Sequence, residues 1–179
     1  MAIKLNLGCG ERHIPHYTNV DVYRECNPDL LEDIRTLPSF KENSVDVIYC
    51  SHVLEHFSDK EIIPILQRWN MVLKRGGILR LGVPDMDMVF RYYILHPDIR
   101  FLKAFLWGSQ ENEYQFHKSG WNYESMEKLL LEIGFARIKR FDWRELEHSH
   151  IDDHSQGYLP HMQKETGILM SLNVEAIKI

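Results

Sequence analysis

The chain opens on an alternation in which Ile3, Leu5 and Leu7 are apolar and Lys4 and Asn6 polar, and it breaks at Gly8. A period of two predicts a strand with one buried face. Thr18 to Val22 predicts a second short strand carrying an acid near its end. Val45 to Cys50 is a mostly apolar, β-branched run, the signature of a buried strand. The period then changes. Ser58-Asp59-Lys60-Glu61 has the spacing of a capping box, and Ile62, Ile65, Leu66, Trp69 and Leu73 fall on one helical face up to a glycine stop at Gly76-Gly77. Pro64 removes a backbone donor, so the regular helix is expected to begin near Ile63. Gly77 to Val83 returns to a strand, stopped by Pro84. From Asp85 to about Trp121 the pattern loosens into aromatic-rich, partly helical chain with no single apolar face, and residues 86–121 read as an insertion. Asn122 and Gly134 bracket an amphipathic helix through Met126, Leu129, Leu130 and Ile133. Phe135 to Trp143 is strand-like, a polar histidine-rich loop follows, and Ile168 to Ile179 closes the chain as a strand.

Strands alternating with helices predict a mostly parallel α/β sheet whose ligands gather at the carboxyl ends of the strands. The last two strands, joined by a loop without a helix, are expected to pair antiparallel.

At 179 residues, 44% hydrophobic and 26% charged, the chain has the balance of one folded domain spanning 1–179. A net charge of -5 argues against nucleic acid as partner. Three cysteines, Cys9, Cys26 and Cys50, form no disulfide pattern and point to a reducing, cytoplasmic address. No apolar run has the length of a membrane span, and the first residues enter a strand without a leader's apolar stretch.

The chemistry starts at Leu5-Asn6-Leu7-Gly8-Cys9-Gly10, where two glycines let the main chain bend sharply and let a ligand approach it. Asp21 ends the next strand, the place where a carboxylate can accept both hydroxyl protons of a ribose. A dinucleotide would need a third glycine for its pyrophosphate, and His13 stands there, with Pro15 soon after. S-adenosylmethionine carries no phosphate and asks for an apolar slot, an acid and polar backbone groups.

Leu5 to Gly10, Asn19-Val20-Asp21, Ser51-His52-Val53-Leu54-Glu55-His56, Leu73-Lys74-Arg75-Gly76-Gly77 and Leu81-Gly82-Val83-Pro84-Asp85 resemble, in order, the signature of class I S-adenosylmethionine-dependent methyltransferases. The closest resemblance is to small predicted methyltransferases associated with cell-surface polysaccharide synthesis, and it extends through His117-Lys118, Gly134-Phe135 and Ser171 to Ala176. It implies a Rossmann-like three-layer sandwich with an antiparallel C-terminal strand, S-adenosylmethionine as cofactor and S-adenosylhomocysteine as product. Gly8, Cys9 and Gly10 would line the methionine end, Asp21 hold the ribose with Val22 beside it, Asp33 and Ile34 border the adenine, and Ser51 and His52 sit beneath the methionine moiety. Only ten residues separate Gly10 from Asp21, so the family's first helix is expected to shrink to a turn. Little strand pattern between Tyr23 and Phe40 predicts a short or missing third strand.

The expected acceptor is a hydroxyl of a sugar or small metabolite, a small molecule or glycan, with the 86–121 insertion over its site. His117 and Asp85 are the candidates for general base or substrate anchor. His56, beside Glu55 on a turn, reads as structural. Glu147 to His154, with His161 beyond, matches no defined metal site, so no metal is expected. Two alternatives stand beside this reading: a catalytically silent cofactor-binding module, and a nucleotide-dependent oxidoreductase, which would call for the absent third glycine.

Overall fold

The computed structural model describes residues 2–179. Five strands run parallel: β1 (Lys4–Leu7), β2 (Thr18–Asp21), β3 (Leu30–Leu31), β4 (Val45–Ser51) and β5 (Leu73–Pro84). β6 (Phe135–Arg140) completes the sheet together with β9 (Ser171–Lys178), which lies antiparallel to both β5 and β6. The order is β3-β2-β1-β4-β5-β9-β6. A separate antiparallel pair, β7 (Tyr158–Leu159) and β8 (Ile168–Leu169), sits outside it. Among the described residues four α-helices accompany the strands: α1 (Asp59–Val72), α2 (Met86–Leu95), α3 (Lys103–Trp107) and α4 (Tyr123–Ile133). The chain moves outward from β1 to β3 and then restarts at β4, so the crevice of this sheet opens between β1 and β4.

The period-two pattern separates two unlike faces. Leu5, Leu7, Ile48, Cys50, Leu81 and Val174 join one core with Ile62, Leu66 and Trp69 of α1 and Met126 and Leu130 of α4. The other face carries Asn6, Asn19, Tyr49, Arg80, Asn173 and Glu175. Irregular chain covers it: Ile14 and Tyr17 from the turn after β1 and Leu146 from the histidine-rich loop pack on Tyr49. Glu147 accepts from Lys4 Nζ at 2.6 Å and Tyr17 OH at 3.0 Å, and Asn173 Nδ2 donates to the Ser155 carbonyl at 2.9 Å. This stands where a helix between β1 and β2 would have packed, and the first crossover is indeed a turn. Asn19 holds it, accepting from Asn6 Nδ2 at 3.0 Å and Ile14 N at 2.8 Å while donating to Asp29 at 2.7 Å. The third strand, at two residues, is as short as expected.

Four boundaries differ from expectation. Helix α1 begins at Asp59, not near Ile63: Pro64 is exposed, and so is Lys60, the residue whose carbonyl loses its helical donor to the proline. Ser58 N donates to Glu61 at 3.0 Å and fixes the start. Second, α1 ends at Val72 and passes directly into β5, so Gly76 and Gly77 are not its stop. They shape the first residues of that strand: Gly76 has φ +78°, and a Cβ on Gly77 would lie 2.8 Å from the Lys74 carbonyl. Third, β6 ends at Arg140, and Asp142 caps a short helical turn at Trp143–Glu145. Fourth, the final strand is interrupted at buried Met170, whose N–H donates to Gly157 at 2.8 Å and whose carbonyl accepts from Asp85 N at 2.8 Å.

Candidate active site

The glycine turn leaves β1 at the crevice and is tied to the end of β2. Gly8 N donates to the Val20 carbonyl at 2.8 Å, and Gly10 N donates to Asp21 Oδ2 at 2.8 Å. Tyr23 N occupies Asp21 Oδ1 at 2.9 Å. Each carboxylate oxygen therefore keeps acceptor capacity while the backbone fixes its direction. A Cβ on Gly8 would come within 2.5 Å of Val53 Cγ2, whereas one on Gly10 would meet nothing within 4 Å. The first glycine packs on the neighbouring loop; the second borders open space. Cys9 is buried, and burial, with Asp21 nearby, pushes its thiol up to about 12, so it is a neutral packing group.

Beyond Asp21, Val22 is 47% exposed and Leu31 45%, two apolar side chains beside a buried acid at the sheet edge. Asp33 is held by Arg35, whose guanidinium donates to it at 2.6 Å and keeps its carboxyl below the usual range. The Ile34 side chain belongs to the main core and its carbonyl accepts Trp69 Nε1 at 2.8 Å, which leaves backbone to face a ligand there.

β4 ends in Ser51, whose buried Oγ has no hydrogen-bond partner, and continues to His52 at φ +54°. His52 Nε2 lies 2.9 Å from Ser171 Oγ and its Nδ1 3.2 Å from Glu55 Oε1. Glu55 is 0% exposed, and neither of its carboxylate oxygens has a hydrogen-bond partner. Burial pushes this carboxyl up, and the surrounding His52, His56 and His117 outweigh that and hold it below the ordinary range. The insertion is zipped onto this turn: Lys118 N donates to the Glu55 carbonyl at 2.8 Å and Ser119 Oγ to that of Phe57 at 3.0 Å. His117 Nε2 is thereby brought 3.9 Å from Glu55 Oε1, and burial lowers the imidazole below the ordinary histidine range. Farther along, Tyr23 OH donates to Asn112 at 3.1 Å and its ring meets Tyr114 edge-on at 5.2 Å. The insertion thus touches the sheet edge beyond both β4 and β2.

Asp85, also expected in the site, is 1% exposed and its carboxylate is occupied. It accepts from Asp87 N at 3.1 Å as the cap of α2 and from Arg140 at 3.0 Å. The aromatics of the insertion divide. Tyr92 packs with Val89, Leu102 and Met170, while Phe90, Tyr93, Phe101, Trp107 and Tyr114 stay exposed, because short helices bury one side each. In the histidine-rich loop His148 is buried between Tyr17 and Tyr49, His154 lies 5.5 Å from His52, and His150 and His161 face solvent.

An acid on a glycine turn, open space at the second glycine, exposed apolar groups past the acid and an orphaned Ser51 hydroxyl lie along the carboxyl ends of β1, β2 and β4. Residues 5–81 match the family model described as a methyltransferase domain. Among solved structures the chain is similar to an S-adenosylmethionine-dependent methyltransferase from Archaeoglobus fulgidus, at 14% identity over 99% of this chain and 86% of that one with a TM-score of 0.60. Another from Thermotoga maritima aligns at 15% identity over 100% and 83%, TM-score 0.60. The Burkholderia thailandensis 1,6-didemethyltoxoflavin-N1-methyltransferase, solved with its acceptor and S-adenosylhomocysteine, aligns at 14% identity over 99% and 71%, TM-score 0.56. No curated protein sequence matches the chain. The methyltransferase-domain match over residues 5–81 and the shared fold support S-adenosylmethionine-dependent methyl transfer, with S-adenosylmethionine as cofactor.

Proposed function

We propose that the protein transfers the methyl group of S-adenosylmethionine to a hydroxyl of a sugar or another small metabolite. The observation that carries the cofactor half is the Asp21 carboxylate locked onto Gly10 beside open space. In this reading Gly8, Cys9 and Gly10 border the methionine end, Asp21 accepts from the ribose hydroxyls, Val22, Asp33 and the Ile34 backbone surround the adenine, and Ser51 and His52 lie under the methionine moiety. When bound, the cofactor supplies a methyl already activated by its sulfonium, so the chain must align the acceptor and keep water out. The insertion is suited to both, since it is fastened at Glu55 and reaches Tyr23 across the crevice.

A hydroxyl must lose its proton as the new bond forms. His117 is the residue we place at that hydroxyl. Its Nδ1 lies 2.9 Å from the Phe105 carbonyl, which can only accept, so Nδ1 carries the hydrogen and Nε2 presents a lone pair. Asp85 acts instead as a positioning residue, holding α2 and Arg140. The polysaccharide setting of the resembling proteins, together with exposed aromatics on the insertion, favours a sugar as acceptor. Calorimetric titration with S-adenosylmethionine and NAD, followed by a screen of glycans and small metabolites for S-adenosylhomocysteine release, tests the whole. Binding of NAD alone would overturn the reading, and cofactor binding without turnover on any hydroxyl acceptor would overturn its second half.

A further inference from the structure

Glu55, His56 and His117 each offer a ligand atom, and the three atoms lie within 4.8 Å of one another. The arrangement has more than proximity in its favour. The Glu55 carboxylate is fully buried, and neither oxygen has a donor in hydrogen-bond geometry; its nearest polar neighbour is His52 Nδ1, 3.2 Å from Oε1, so acceptor capacity on both oxygens is left for a cation. Both histidines are oriented alike. His117 Nδ1 donates to the Phe105 carbonyl at 2.9 Å, and His56 Nδ1 donates to the Phe116 carbonyl at 3.2 Å. Each ring therefore has its tautomer fixed by a backbone oxygen, with Nε2 left as the lone-pair atom, the support that metal-ligating histidines receive in known sites.

We propose that Glu55 together with Nε2 of His56 and of His117 binds one divalent transition-metal cation at the carboxyl end of β4. Two imidazoles and one carboxylate suit Zn2+ and its neighbours better than Mg2+, which prefers an all-oxygen shell. Ligand atoms around such an ion sit roughly 3.0–3.5 Å apart. The 3.9 Å between Glu55 Oε1 and His117 Nε2 closes to that value with a small side-chain shift. Three protein ligands leave at least one position open, as in catalytic rather than structural sites.

Resting on the hydroxyl-acceptor reading above, the open position takes the acceptor oxygen. The bound ion lowers that hydroxyl's pKa, and its proton leaves to solvent. The oxygen then forms a bond to the methyl carbon as the carbon–sulfur bond breaks, its electron pair staying on the neutral thioether. With the ion bound, His117 Nε2 is occupied as a ligand and the ion replaces it as the group that acidifies the hydroxyl; without the ion the same nitrogen stays free to act as the base. Acceptors with a second oxygen beside the reacting hydroxyl, such as vicinal diols of sugars, gain a chelating contact and are preferred.

The test begins with metal stripped by a chelator and returned as Zn2+, Mn2+ or Mg2+, with bound metal counted per chain and affinity measured by calorimetry. Wild-type protein should take up one equivalent of Zn2+ and bind Mg2+ far more weakly. Glu55→Gln and, separately, His117→Asn should each weaken Zn2+ binding by 100-fold or more, while His150→Ala with His161→Ala in the solvent-facing loop should leave it unchanged. Circular dichroism confirms folding of each variant, and His117→Asn, the smaller disturbance, decides the matter if Glu55→Gln does not fold. No stoichiometric uptake, or uptake undiminished in His117→Asn, would overturn the site. Cofactor binding is measured on the stripped protein. If Zn2+ binds and S-adenosylmethionine does not, the methyl-transfer reading fails and the metal site stands. If turnover is undiminished after stripping, the ion has no part in the reaction.

Discussion

At Asp21 one carboxylate does two jobs, and they are separable by substitution. It closes the glycine turn through Gly10 N and the β2 exit through Tyr23 N, and its remaining lone pairs face the proposed ribose. Asp21→Ala leaves those two amides unpaired, so it should cost about 1–3 kcal/mol of stability in addition to cofactor affinity. Asp21→Asn keeps one acceptor oxygen and should spare more of the fold while still weakening S-adenosylhomocysteine by 10-fold or more; denaturation and calorimetry on both variants check this, and unchanged affinity would remove Asp21 from the site. The two glycines of the turn make a matching contrast. Gly8→Ala drives a Cβ into Val53 and should lower stability without any ligand present. Gly10→Ala meets nothing in the protein, so beyond about 1–2 kcal/mol of left-handed backbone strain its effect should appear as lost cofactor affinity. His148 carries a pH dependence. It is 3% exposed, neither ring nitrogen has a hydrogen-bond partner, and burial pushes its imidazole below the ordinary range. The unfolded chain, with histidine near about 6.5, then takes the proton first as pH falls. Stability is full above that value and declines below it. His148→Phe should flatten the decline between pH 7 and pH 5 in denaturation midpoints, and equal slopes for the two proteins would clear His148.

Helix α1 holds Pro64 at an exposed position, and Lys60, whose carbonyl loses its helical donor, is exposed as well. Tolerance is not neutrality. Pro64→Ala restores one backbone bond and removes a ring clash, an effect of up to about 3 kcal/mol, offset by about 0.4–1 kcal/mol of regained freedom in the unfolded chain. The variant should therefore be more stable by about 1–2 kcal/mol in urea denaturation, and a loss of stability would show that the proline ring contributes to packing. The same helix shows why some elements were legible in the sequence and others not. Ile62, Ile65, Leu66 and Trp69 carry the 3.6 period that a buried face imposes, and Asn122 with Gly134 punctuates α4 through local backbone chemistry. The β-strands of the apolar face were legible for the same reason. The end of α1 was misread because Gly76 and Gly77 are also what a tight entry into β5 requires. The histidine-rich loop carries no period, since its order comes from distant partners, Lys4, Tyr17 and Tyr49. In the candidate site, the placement of Gly8, Gly10 and Asp21 at adjacent strand ends was readable from the strand pattern. The facing of Glu55 and His117 was not: it is made by hydrogen bonds from Lys118 and Ser119 across more than sixty positions of sequence.

The whole molecule is a sheet with one helical face and one face closed by loops, and the two carry different work. The apolar face, with α1 and α4 on it, anchors the β-strands whose carboxyl ends frame the crevice. The polar face ties the turn after β1 to the loop at 146–156, and the 86–121 insertion fastens to the edge between them. In the proposed binding mode the cofactor joins three separate pieces of chain: the glycine turn, the Asp21 to Ile34 edge and the Ser51–His52 bend. A ligand that engages only the folded arrangement must therefore stabilise the molecule as a unit. With S-adenosylhomocysteine at a hundred times its dissociation constant the gain is about 2.7 kcal/mol. For a domain of this size each kcal/mol moves the unfolding midpoint by about 2–4 °C, so a rise of about 5–11 °C is expected. NAD at the same concentration should leave the midpoint unmoved, since His13 stands where a pyrophosphate needs glycine. Gly10→Ala should lose the S-adenosylhomocysteine rise while keeping a single cooperative transition. A rise retained in that variant would place the ligand away from the glycine turn, because nothing else in the protein meets a Cβ at that position.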